Sequence, residues 1–158
     1  MSKITFKSVD DKFLVEINNK ILNRIKNECI NARTKETGGI LIGNYSENQS
    51  IANIRSITGP PKDSKQDRHT FRRGINGLMK LLDNKWNLGQ YYLGEWHFHP
   101  NSSSQPSQVD DNQMKNFAKD GLLQCPEPIL LIIGGNQNKW DLSVHVYTKT
   151  NRTTLTKI

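Results

Sequence analysis

Residues 128–135, PILLIIGG, narrow the possible folds of this chain more than any other segment. The run is too short for an ordinary helix and is closed by a glycine pair. It also has no polar side to turn toward water, so it reads as a β-strand buried on both faces. Such a strand belongs inside a layered domain.

The pattern around it supplies the layers. FLVEI (13–17) reads as a short strand, and Asn18 can then cap a helix in which Ile21, Leu22, Ile25 and Cys29 share one face. GGILIGNY (38–45) and SIANIRSIT (50–58) read as strands. GPPKDSKQDRHT (59–70), with its glycine, two prolines and many charges, reads as an exposed loop. From about 71 to 88, Ile75, Leu78, Met79, Leu82 and Trp86 recur at helical spacing. YYLGEWHFH (91–99) is an aromatic-rich strand leading into the loop from Pro100 to Pro106. Residues 107–120 suit a helix with Met114, Phe117 and Ala118 inward, and KWDLSVHVYTK (139–149) alternates as a half-exposed strand does. Strands mixed with three helices give an α/β or α+β layered domain. At 158 residues, without repeat or long linker, the chain reads as one domain, 1–158, with a core over about 15–148.

Composition excludes several classes. No apolar run approaches the roughly 18 to 20 residues that cross a bilayer, and the N-terminus lacks the apolar centre of a signal peptide, so a cytoplasmic protein without membrane contact is expected. Cys29 and Cys125 are far apart, have no metal-type spacing, and read as reduced thiols. The net charge of +7 permits an acidic partner, but the basic residues are scattered, the densest run being DRHTFRRG at 67–74. Without a basic stripe or interleaved aromatics, no nucleic-acid interface is expected.

The chemistry concentrates in GEWHFHPNSSSQPSQVD, residues 94–110. On a strand, residues i and i+2 face the same way, so His97 and His99 can aim at one point. Imidazole is a good zinc ligand, although an HxH pair alone is more often structural. Ser107-x-x-Asp110 resembles a capping box and by itself marks a helix start. A helix starting there can also project Asp110 toward the end of a neighbouring strand, as a third ligand. Three protein ligands leave the fourth position of a tetrahedral zinc open. Glu36 precedes the glycine-rich strand entry, where a carboxylate serves either as a base or as a solvated loop residue. Glu95, two residues before His97, either orients a ligand or forms a salt bridge on the strand. Trp96 and Phe98 point the other way, into the core. His145 reads as structural and His69 as solvent-exposed.

Taken together, Glu36, His97-x-His99-Pro100, seven intervening residues to Ser107, and Asp110 three further on resemble the signature of the JAMM (MPN+/JAB) metalloproteases. ETGGILIG is also similar to that family's first segment. The resemblance covers roughly residues 15–148. It implies a cytidine-deaminase-like fold, a mixed curved β-sheet flanked by helices. It further implies Zn2+ on His97, His99 and Asp110, Glu36 as general acid–base, and Ser107 as a donor to the oxyanion. The form Gly-Glu-Trp-His-x-His-Pro is similar to small bacterial JAB proteases of antiphage defence operons, including CBASS systems. Those resemble deubiquitinases, which implies an isopeptidase acting after the C-terminal tail of a ubiquitin-like or conjugated protein. Ubiquitin-activating-like and ubiquitin-conjugating-like enzymes and a CD-NTase encoded nearby are the implied partners. The tail is expected to add as a strand to a sheet edge, touched by residues 59–71. The alternatives are processing of a sulfur-carrier protein and a RadC-like, DNA-associated module without peptidase activity.

Overall fold

A computed structural model describes residues 2–158. Its order is β1 (Lys3–Lys7), β2 (Leu14–Asn18), α1 (Asn19–Ala32), β3 (Thr37–Tyr45), β4 (Ile51–Ile57), β5 (Lys65–Gln66), β6 (Phe71–Arg72), α2 (Leu78–Trp86), β7 (Tyr91–Pro100), α3 (Gln108–Lys119), β8 (Ile129–Asn136), β9 (Lys139–Tyr147) and β10 (Arg152–Lys157). The expected α/β architecture is present: a mixed, strongly curved sheet with helices on both sides. The curvature goes as far as closure, in the order β1-β10-β9-β8-β7-β3-β4-β2 with β2 returning to β1. Two pairs, β7–β8 and β2–β4, are parallel and the others antiparallel. Closure depends on β1 and β10, which lie outside residues 15–148 and pair with each other at Phe6–Lys157 and Lys7–Thr156.

β8 confirms why PILLIIGG is so constraining. Ile129, Leu131 and Ile133 face the inner cluster, where they meet Trp96, Phe98, Leu41 and the α1 residues Ile21, Ile25 and Cys29. Leu130 and Ile132 face the other way and pack with Met114 and Phe117 of α3 and with Tyr147. Side-chain period 2 therefore feeds two cores from one strand. Each fully buried Leu or Ile contributes roughly 1.5–3 kcal/mol from removal of apolar surface from water. Asn18 caps α1 as expected, its side chain accepting the Ile21 N–H at 2.9 Å.

One expectation fails. The helix over 71–88 is only Leu78–Trp86. The Asp63 carboxylate takes the N–H groups of Ile75 and Asn76 at 3.0 and 2.9 Å, and Gly77 has φ +82°. The chain before Leu78 is thus held in a turn, and Phe71–Arg72 is a strand. Leu78 is buried, but Ile75, Met79 and Trp86 are exposed, so their helical spacing marks no core. The sheet closes as a ring, but Thr37–Gly39 of β3, beside Glu36, pair with β7 on one side only, since the β3–β4 ladder begins at Leu41. The stretch expected to be a loop carries β5, which pairs with β6.

β7 carries the site, and a bulge sets its faces. Leu41 pairs with Gly94 but Ile42 pairs with Tyr92, so Leu93 is extra. Gly94 sits at φ +152°, and a Cβ there would lie 1.9 Å from the Ile129 carbonyl oxygen, which excludes any side chain. Beyond the bulge Glu95, His97 and His99 share the outer face, while Trp96 and Phe98 enter the inner core. Trp96 is fully buried and satisfies its indole N–H on the Thr58 carbonyl at 2.8 Å.

Candidate metal centre

The end of β7, the start of β3 and the N-terminus of α3 meet at one place. β3 and β7 run antiparallel with Thr37 opposite Phe98 and Gly38 opposite His97, which sets Glu36 beside His99. Ser107 is the N-cap of α3, and the capping box is complete: Ser107 Oγ accepts the Asp110 N–H at 3.0 Å, and Asp110 Oδ2 accepts the Ser107 N–H at 2.9 Å. The cap fixes the Asp110 side chain in the first helical turn and turns it to β7. There Oδ1 lies 3.1 Å from His97 Nδ1 and Oδ2 lies 3.2 Å from His99 Nε2. The helix-cap and third-ligand readings of Asp110 are thus compatible in space. Among the described residues no three His, Cys, Asp or Glu side chains form a ready metal cage. The structure instead sets Asp110 between the two rings, hydrogen-bonded to His97 and within ion-pair distance of His99.

His99 Nδ1 lies 3.1 Å from the Ser103 carbonyl, which can only accept, so Nδ1 carries the proton and Nε2 is the nitrogen turned to Asp110. Burial works against a charged His99, but the hydrogen bond and charge of Asp110 and the charge of Glu36 outweigh it and raise its pKa. Burial likewise disfavours the Asp110 anion, yet both histidines and the Ser107 N–H hold its carboxyl far below the usual range. Glu36 shifts upward, through burial first and then the Asp110 charge, against the opposing pull of His99, His97 and His69. One site thus holds a firm anion and a carboxyl biased toward keeping a proton.

A cleft of about 580 Å³ opens beside the His97–Asp110–His99 triad and reaches His99. Thr34, Glu36, Arg68 and His69 form one wall, and His99, Pro100, Asn101, Ser102, Ser103, Gln105 and Ser107 the other. His69 is exposed, as expected, but the loop brings it and Arg68 to the cleft. Neither had a motif to mark it. His145 lies elsewhere, on β9, buried and bonded to Thr154 and Ser143 as a structural histidine. Glu95 touches neither His97 nor His99. It is completely buried against Arg73 and Tyr92, and so takes the salt-bridge alternative in a buried form. Cys29 and Cys125 are free and buried; burial pushes the Cys125 thiol up to about 12.

The family described as prokaryotic homologs of the JAB domain matches residues 19–145, most of the chain. The chain belongs to this family. The matched span includes every residue of the site just described. A protein of Enterobacter hormaechei subsp. hoffmannii named CD-NTase/cGAS isopeptidase is 44% identical over 133 residues, covering 84% of this chain and 74% of that protein. A probable metalloprotease of Sinorhizobium fredii, y4qB, is 24% identical, covering 66% of each chain. The solution structure of protein DSY2949 from Desulfitobacterium hafniense has the same fold as this JAB domain, with TM-score 0.67, 19% identity and 87% of each chain covered.

Proposed function

We propose that this JAB domain is a zinc-dependent peptidase of the JAMM type. It acts as an isopeptidase on the amide bond after the C-terminal tail of a ubiquitin-like or conjugated protein. The observation that carries the reading is the convergence of His97, His99 and Asp110 at the cleft, beside a Glu36 biased toward protonation.

The donor set fits zinc. Two imidazoles and a carboxylate are donor types that zinc takes, and Asp110 lies 3.1 and 3.2 Å from the two rings. The Ser103 carbonyl fixes the His99 ring with Nε2 directed inward, as outer partners of metal-bound histidines do. When bound, the ion supplies Lewis acidity, which lowers the pKa of water on it toward about 7.

The remaining work falls to this chain's own groups. Glu36 accepts the proton of the attacking water and returns it to the departing amine, a role that favours a pKa raised toward neutrality. Ser107 Oγ already accepts the Asp110 N–H, so its own hydrogen is free to donate to the carbonyl oxygen as charge develops there.

The relative named CD-NTase/cGAS isopeptidase supports a CD-NTase as the conjugated protein, and the proposed setting is antiphage defence. Ubiquitin-activating-like and ubiquitin-conjugating-like enzymes would make the conjugate in the cytoplasm. No helix among the described residues is long and apolar enough to cross a membrane. Residues 59–71, which include β5 and the cleft residues Arg68 and His69, are the segment proposed to meet the tail. The test measures zinc per chain and incubates the protein with a CD-NTase conjugate. Zinc near one per chain, with cleavage lost in Glu36→Gln, is the expected result. An active Glu36→Gln or His97→Ala variant would overturn the mechanism.

A further inference from the structure

Outside the cleft, the Glu95 carboxylate accepts three hydrogen bonds. It is fully buried, and both its oxygens are used. Arg73 Nε donates to Oε1 at 2.6 Å and Nη2 to Oε2 at 3.2 Å, while the Tyr92 hydroxyl donates to Oε2 at 2.5 Å. Burial and the Glu95 charge keep the Tyr92 phenol protonated, and therefore a donor. Arg73 Nη1 donates to the Gly74 carbonyl at 2.8 Å, and the guanidinium lies 5.1 Å from the Phe117 ring of α3. The bulge at Leu93 makes the cluster possible, because it turns Tyr92 and Glu95 to one face although they are three apart.

An apolar filling of such a space is often at least as stable as a buried ion pair. What a planar, two-pronged fork adds is a single allowed orientation. The segment it orients is residues 63–73. That segment is closed on itself: the Asp63 carboxylate holds Ile75 and Asn76, and Ser64 Oγ holds the Gly74 N–H at 2.9 Å. Residues 63–76 are thereby tied into one hydrogen-bonded unit. Its other attachments go straight to the candidate site. The Asp67 carbonyl accepts the Glu36 N–H at 2.7 Å, and Gln66 Nε2 donates to the Glu36 carbonyl at 3.3 Å. Phe71 sets its ring against His97, centroids 5.5 Å apart and nearly perpendicular. Gly38 leaves room for that contact, since a Cβ there would come within 2.8 Å of Phe71 and 3.1 Å of His97.

We propose that Arg73, Glu95 and Tyr92 form a positioning device that locks residues 63–73 onto β7 and thereby sets the backbone of Glu36 and the ring of His97 from behind. None of the three lines the cleft. Arg73 and Glu95 are positioning residues, acting through Asp67, Gln66 and Phe71. The kinetic part of this inference rests on the peptidase reading; the structural part does not.

The experiment uses the full chain with zinc bound and compares wild type, Arg73→Lys, Arg73→Met and the double variant Arg73→Met/Glu95→Leu. The double variant removes both charges, so it decides the matter if Arg73→Met alone fails to fold. Two readouts are taken: kcat and KM on the conjugate, and hydrogen exchange at the Glu36 and Phe71 amides against those of β8. In the double variant kcat falls about ten- to a hundredfold, the scale of a misplaced catalytic group, with KM within about threefold and zinc retained. Exchange at the Glu36 amide speeds up at least tenfold while β8 is unchanged, and Arg73→Lys recovers part of both. Wild-type kcat with wild-type protection of Glu36 in the double variant overturns the proposal. So does a parallel loss of kcat, zinc and β8 protection, which would mean general destabilisation. An active Glu36→Gln control would refute the peptidase reading but leave the exchange result to stand or fall by itself.

Discussion

Two polar clusters grow from the same outer face of β7, two residues apart, and they are built on opposite plans. Around Glu95 every charge is matched: one carboxylate, one guanidinium fork and a phenol, with Phe117 of α3 against the guanidinium. Around His97 and His99 one carboxylate serves two rings, the cleft reaches His99, and the neighbouring Glu36 carboxyl is pushed toward its neutral form. The closed cluster has nothing left to bind. The open one places two imidazoles, two carboxyl groups and the Ser107 hydroxyl at the edge of a cleft. A buried charge is therefore no guide to function by itself; what separates the two is whether the donors are used up.

Breaking each cluster should separate activity from stability. Glu36→Gln, at the open cluster, should lower kcat by about 10²–10⁴-fold and leave the unfolding midpoint near wild type, measured by turnover and denaturant unfolding on one preparation. Arg73→Met, at the closed cluster, leaves the fully buried Glu95 uncompensated and should cost about 3–5 kcal/mol in urea unfolding. If Glu36→Gln proved the more destabilising of the two, the contrast between the clusters would collapse. Ser107 should show a smaller, mixed effect. Ser107→Ala loses about a hundredfold or more in kcat and about 1 kcal/mol of helix cap. Ser107→Asp should restore the cap without restoring kcat, because an aspartate accepts the N–H but donates nothing to an oxyanion. Recovery of both would assign Ser107 to capping alone.

How far these clusters were legible in the sequence follows from the range of the interactions that form them. Asp110 and Ser107 form a local cap, three residues apart, and His97 and His99 share a strand face by period alone, so spacing exposed them. PILLIIGG announced the two-sided strand for the same reason. Glu36 was legible only through resemblance, since its neighbourhood comes from β3–β7 register across some sixty residues. The Glu95 cluster stayed hidden because a bulge shifts the period between Tyr92 and Glu95, and because Arg73 arrives on a segment whose spacing imitates a helix. Ile75, Met79 and Trp86 satisfy that helical period and are exposed all the same. Periodicity reports a possible face, not whether the fold covers it. Closure of the sheet was equally invisible, for β1 and β10 are short, polar-rich strands whose pairing joins the two ends of the chain.

The smallest expected effect tests the same principle on a third buried group. His99 and His145 are both buried, at 8% and 2% exposure, yet shift in opposite directions. Asp110 raises the pKa of His99, whereas burial and the Arg152 charge lower that of His145 to about 4. Ser143 Oγ donates to the Ser104 carbonyl at 2.6 Å, so it accepts from His145 Nε2–H, and Thr154 then donates to Nδ1. The neutral ring is satisfied at both nitrogens. Between the unfolded value near 6.5 and about 4 in the fold, the unfolded chain binds more protons. Stability from this residue is therefore complete above about pH 6.5, falls as pH drops through that window, and falls no further below about 4. The slope is at most about 1.4 kcal/mol per pH unit. Urea unfolding from pH 7.5 to 4.5, at equal zinc loading, should show a shallower acid slope for His145→Gln than for wild type. Equal slopes would mean that His145 titrates normally, and that the polar cluster under residues 101–107 is open to water after all.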